Sequence, residues 1–162
     1  RLSRLADEKG DGLDAVILAQ AGLNRLGLSP EFGLAMSPDE FLPAVGQGAL
    51  AIECRSDDES TRTAISALDH EETRIRVTAE RAFLKAVEGS CQVPVGAFAR
   101  ITGPQTLQID GLIASLDGEE IIRGVSRGPF GEAGNLGTAL GESLLQRGGA
   151  ALLEACLLAS TQ

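Results

Sequence analysis

The residues with the most chemistry to offer are three cysteines, one histidine and a run of arginines. Cys91 sits in Glu88-Gly89-Ser90-Cys91-Gln92-Val93-Pro94. A thiol in a glycine-containing loop is accessible, and its thiolate can act as a nucleophile or as a covalent attachment point. The plainer reading is a free structural thiol, which a loop cysteine taken singly favours. Cys54 closes an apolar run and Cys156 lies among leucines, so both are expected in the core. Three cysteines with no CxxC pair make neither a disulfide scaffold nor, with His70 as the only histidine, a zinc site; no metal is expected. A lone histidine also counts against a Ser-His-Asp or Cys-His centre. His70 stands beside a helix start, where a surface or capping role suits it better than that of a base.

Arg1, Arg4, Arg25, Arg55, Arg74, Arg76 and Arg81 give the first half of the chain local basic character. Gathered in a cleft, guanidinium groups bind polycarboxylates through paired hydrogen bonds. Spread over helix faces they are simply solvated, and Arg74, Arg76 and Lys85 cannot share one face. Gly46-Gln47-Gly48 is neither a dinucleotide fingerprint nor a P-loop. It suits a tight turn, or a glycine loop approaching a ligand.

Periodicity supplies the elements that must carry these groups. Residues 13–19 (LDAVILA) form a short apolar run that predicts a buried strand, and residues 20–28 follow with helical spacing. Residues 2–6 suit the end of a helix, and 29–43, with three prolines, a loop with one turn at Ser37-Pro38-Asp39-Glu40. Residues 50–54 (LAIEC) predict another strand and 60–68 a helix. The clearest helix covers 70–88, with Ile75, Ala79, Ala82, Phe83, Ala86 and Val87 on one stripe. Asp69 and Glu72 suggest its cap and capping-box partner, and Gly89 its stop. Residues 93–101, 107–116 and 120–126 predict a three-stranded antiparallel meander, with Asp117-Gly118 at one hairpin. Residues 131–147 and 150–158 are helical, broken at Gly148-Gly149. The fold class is therefore α/β followed by α+β.

Composition bounds the function. The chain has 162 residues and begins at Arg1 rather than Met, which suggests processing or a piece of a longer protein. Its net charge of −9 disfavours a nucleic-acid or anionic-membrane binder. With 43% hydrophobic residues it can build a core. No apolar run approaches the roughly 20 residues of a membrane span, and no signal segment opens the chain. The absence of Trp and Tyr removes aromatic cages and base-stacking platforms. A reducing, cytoplasmic setting is expected.

Four stretches together resemble the porphobilinogen deaminase (hydroxymethylbilane synthase) family. They are Asp14-Ala15-Val16-Ile17-Leu18-Ala19 with Ala21-Gly22-Leu23-Asn24-Arg25-Leu26-Gly27; Leu42-Pro43-Ala44-Val45-Gly46-Gln47-Gly48-Ala49 with Ile52-Glu53-Cys54-Arg55; Val77-Thr78-Ala79-Glu80-Arg81-Ala82-Phe83-Leu84; and Glu88-Gly89-Ser90-Cys91-Gln92-Val93-Pro94-Val95-Gly96. The resemblance spans nearly all of this chain and about the C-terminal half of a usual member.

The resemblance implies a transferase that condenses four porphobilinogen units, with loss of ammonia, on a dipyrromethane cofactor to give hydroxymethylbilane for tetrapyrrole (heme and chlorophyll) synthesis. It implies Cys91 as the thioether attachment point, although Ser90 stands where the family has glycine. Arg1 and Arg25 become ligands for acetate and propionate groups. Ala19, Gly22, Gln47 and Gly48 become places where backbone approaches the cofactor. The family's catalytic aspartate lies in a Lys-Asp motif that this sequence lacks, so no catalytic residue is expected here and the chain alone is expected to be inactive. The implied fold assigns 1–42 to the second half of a periplasmic-binding-protein-like α/β domain and 43–68 to the hinge and return segment of another. Residues 69–162 become a small α+β domain carrying the cysteine. Implied partners are porphobilinogen, the growing polypyrrole and the N-terminal part of the same enzyme, in a monomer without nucleic acid or membrane. The alternative is a non-catalytic periplasmic-binding-protein-like piece that binds a small polycarboxylate reversibly.

Overall fold

A computed structural model describes residues 13–28, 33–87 and 94–159. The chain divides into two compact units, Arg1–Met36 and Ser37–Gln162.

The first unit carries one short helix, α1 (Gln20–Arg25). Its end is a Schellman turn. Gly27 adopts φ 68°, its amide donates to Asn24 O (3.1 Å), and the Leu28 amide donates to Leu23 O (2.9 Å). Residues 13–19 do not form the expected strand. A β-rich run becomes a strand only beside a partner that takes up its amides and carbonyls. Among the described residues of this unit none does so, and Ile17 stays exposed.

The second unit opens with the expected turn, where Ser37 O accepts from the amides of Glu40 (3.0 Å) and Phe41 (2.8 Å). Residues 50–54 again lack strand structure, with Leu50 and Ile52 exposed, since no strand pairs with them among the described residues. Cys54 is accordingly half-buried rather than in the core. Helix α2 (Glu59–Ser66) is capped by Asp58, whose Oδ1 accepts from the Thr61 amide (3.0 Å).

Helix α3 (Glu71–Ala86) starts one residue later than a cap at Asp69 requires. His70 is the cap, its Nδ1 accepting from the Thr73 amide (3.3 Å). Asp69 instead pairs with Arg74 Nε (3.0 Å).

The meander is as periodicity predicts: β1 (Val95–Gly103), β2 (Thr106–Ala114) and β3 (Ile121–Pro129), antiparallel in the order β1-β2-β3. Strand β3 runs three residues further than expected. Ala99 faces Ile109, which faces Ser126. One sheet face, with Ala97, Ala99, Leu107, Ile109 and Ile113, packs on Ala79, Phe83, Leu136, Leu140 and Leu144.

Those leucines belong to helix α4 (Ala133–Leu144). A π-turn over Leu145–Gly149, with Gly148 at φ 113°, redirects the chain into α5 (Ala150–Ala159). Helices α3 and α4 lie so close that a Cβ on Gly137 would stand 2.0 Å from Ala79 O. Cys156 is buried, as expected.

The opposite sheet face carries a polar chain. Arg127 Nε donates to Gln108 Oε1 (2.7 Å), Gln108 Nε2 to Asp110 Oδ2 (2.7 Å), and Arg100 Nη2 to Asp110 Oδ2 (3.0 Å). Arg100 also pairs with Asp39, holding that carboxyl below its ordinary range. Residues 37–43 are thus strapped over the sheet, and Pro43 O accepts from the Ala97 amide (3.2 Å).

Candidate functional site

The residues expected to bind a ligand fall into three places. Ala19, Gly22 and Arg25 belong to the first unit. Ala19 is the N-cap of α1 and its carbonyl accepts from the Gly22 amide (3.0 Å). Gly22 and Arg25 are three apart on α1, so they are neighbours on its surface. Arg25 is exposed, and a Cβ placed on Gly22 meets nothing within 4 Å.

Gln47 and Gly48 lie in the second unit, exposed in a turn. The Gln47 amide donates to Ala44 O and the Ala49 amide to Gly46 O, both at 3.1 Å. Gly46 and Gly48 adopt φ 71° and 86°, in the left-handed region where a side chain is strained. A Cβ at either position would meet nothing within 4 Å. The glycines are required by backbone conformation, not by crowding within the protein.

Cys91 and Arg1 lie outside the described residues, as do Arg4 and Gly89. The described chain stops at Val87, which is buried just past α3, and resumes at Pro94, just before β1.

Three of the remaining arginines are committed to surface ion pairs: Arg55 with Asp58 (3.3 Å), Arg74 with Asp69, and Arg76 with Glu72 (3.0 Å). Arg81 lines a cavity of about 460 Å³ together with Gly46, Leu50, Ile52 and Thr78. A guanidinium beside an apolar wall suits an apolar body bearing carboxylates.

Glu80 is the residue that periodicity did not single out. It is 6% exposed, on α3. Its Oε2 accepts from the Gly46 amide (2.7 Å) and its Oε1 from the Ala99 amide (2.9 Å). Burial raises its pKa, against the opposing pull of the two amides and of Arg76. The available signal was its spacing, three before Phe83 and seven before Val87, which puts an acid on the buried side of the helix.

Two protein-family models match the chain in succession. The model described as "Porphobilinogen deaminase, dipyromethane cofactor binding domain" matches residues 1–63, which include Ala19, Gly22, Arg25, Gln47 and Gly48. The model described as "Porphobilinogen deaminase, C-terminal domain" matches residues 74–146, which include Glu80 and Cys91.

Proposed function

The chain belongs to the porphobilinogen deaminase family, transferases of tetrapyrrole synthesis with a dipyrromethane cofactor, and on that premise we propose that it serves the stepwise condensation of four porphobilinogen units to hydroxymethylbilane with release of ammonia. The observation that carries this is the succession of the two matches, two domains of one enzyme met in order along one chain.

The residues present suit the cofactor. Arg25 is exposed, and the space beside Gly22 leaves room for a carboxylate-bearing group. Cys91 would hold the dipyrromethane through a thioether bond; when bound, that group supplies the primer on which the chain grows. Arg25 and Arg1 would pair with acetate and propionate side chains, because a planar guanidinium matches a carboxylate with two hydrogen bonds. Ala19 and Gly22 would bring backbone close to the cofactor, and so would Gln47 and Gly48.

Proton transfer is assigned to an aspartate outside these 162 residues, since no Lys-Asp pair occurs in the sequence. The polypeptide alone is therefore inactive and works with the N-terminal part of the enzyme, as a cytoplasmic monomer. Residues 1–42 and 43–68 belong, on this reading, to two periplasmic-binding-protein-like domains, and 69–162 to the cysteine-bearing domain.

Intact-mass spectrometry of the complete enzyme tests the proposal. An adduct of dipyrromethane mass that is absent from Cys91→Ser, with porphobilinogen consumed by the native form alone, is the expected result. An unmodified native Cys91 in freshly purified active enzyme would overturn the attachment.

A further inference from the structure

We propose that Glu80 is a positioning residue that holds the Gly46-Gln47-Gly48 loop in register with the elements flanking Cys91. The inference rests on the function proposed above. One carboxylate receives two backbone amides from sequence-distant segments: Gly46, at the head of the loop, and Ala99, within β1. Glu80 itself stands on α3, so a single side chain joins three elements. Two of them, α3 and β1, lie on either side of residues 88–93. The third presents exposed Gln47 and Gly48.

The chemistry requires an acid. Both partners are N–H donors, and a carboxylate offers an acceptor oxygen to each. A glutamine offers one oxygen, and its NH₂ faces the second amide donor to donor. The requirement is positional more than energetic. Burial shifts this group toward its neutral form, while the amides of Gly46 and Ala99, each donating to one of its oxygens, favour the carboxylate. A buried acid with both oxygens taken by backbone amides of separate segments fits a role in fixing conformation, which here means fixing the direction of the loop's backbone. Gly46 at φ 71° needs an anchor for its amide, because without one glycine samples many conformations.

The test uses the complete holoenzyme carrying Glu80→Gln. Amide exchange at Gly46 or Ala99 should quicken by about tenfold or more, the consequence of losing a hydrogen bond to a charged group. KM for porphobilinogen should rise by about tenfold with kcat within about threefold, since the loop binds and does not react. Unchanged exchange, or quickened exchange with an unchanged KM, overturns the positioning role while leaving the proposed function standing. A native enzyme that does not consume porphobilinogen overturns the function, and the role with it. Should Glu80→Gln not fold, Glu80→Asp replaces it. It keeps both acceptor oxygens on a stem one methylene short, and an unchanged KM in that variant overturns the role.

Discussion

Glu80 couples the stability of the fold to pH. Its carboxyl has a folded pKa raised above the ordinary 4.5, with burial as the largest cause. A group whose pKa rises on folding favours the fold most below its unfolded value, and that contribution is lost as pH climbs through the folded one. Native protein should therefore gain stability relative to Glu80→Gln as pH falls from 7 toward 4.5, and urea titrations at several pH values measure this. A difference that moves the other way would show the two amides outweighing burial. Asp39 has the opposite sign: hydrogen bonding to Arg100 lowers its pKa below 3.8, so its small exposed contribution is lost only as pH falls beneath that value. At Arg25 the prediction concerns binding. Arg25→Ala should raise KM for porphobilinogen by about tenfold or more, and Arg25→Lys should recover only part of it, because an ammonium cannot make the paired contact. Steady-state kinetics on the complete enzyme decide between them.

At the scale of elements, the α3–α4 contact is controlled by glycine. A Cβ on Gly137 would lie 2.0 Å from Ala79 O, and one on Gly141 would lie 2.8 Å from the Ala86 Cβ. Gly137→Ala should destabilise by about 3 kcal/mol or more, since helix backbone cannot give way as a flexible side chain can. Gly134, on the same helix, would meet nothing within 4 Å, and Gly134→Ala should stabilise by up to about 1 kcal/mol through helix propensity. Equilibrium denaturation of both variants checks the pair. These elements also mark what the sequence could disclose. The meander, α3 and the Gly148 break were legible because turn residues and apolar periodicity are local signals. The runs at 13–19 and 50–54 carry the same β-rich composition as β2, yet no described segment pairs with them. Pairing is a non-local property that composition cannot report. The candidate site shows the same division. Cys91 and the Gly46-Gln47-Gly48 turn stood out as motifs, and Arg25 by resemblance. Glu80 did not, because its two partners lie 34 and 19 residues away.

For the molecule as a whole, the 162 residues alone should show no turnover of porphobilinogen. Adding the N-terminal part of the enzyme should restore it, and ammonia release reports both results. The strap over 37–43 has a further consequence, for association between copies. A three-stranded sheet has two outer strands, and each is a template for another chain. On β1 the Ala97 amide is already bonded to Pro43 O, so the protein's own backbone occupies part of that edge. Among the described residues nothing pairs with the outer edge of β3. What it carries instead is exposed Arg123 and Arg127 and a terminal Pro129, cationic and imino-acid deterrents to edge-on growth. The two edges are thus guarded by different means with different sensitivities. Salt screens the arginines of β3 and the pair of exposed Asp39 with Arg100, and leaves the Pro43–Ala97 backbone hydrogen bond in place. Aggregation provoked by high ionic strength should begin at β3, whereas shortening the chain past Pro43 should free the Ala97 amide of β1 at any salt concentration, with the Ala99 amide still held by Glu80.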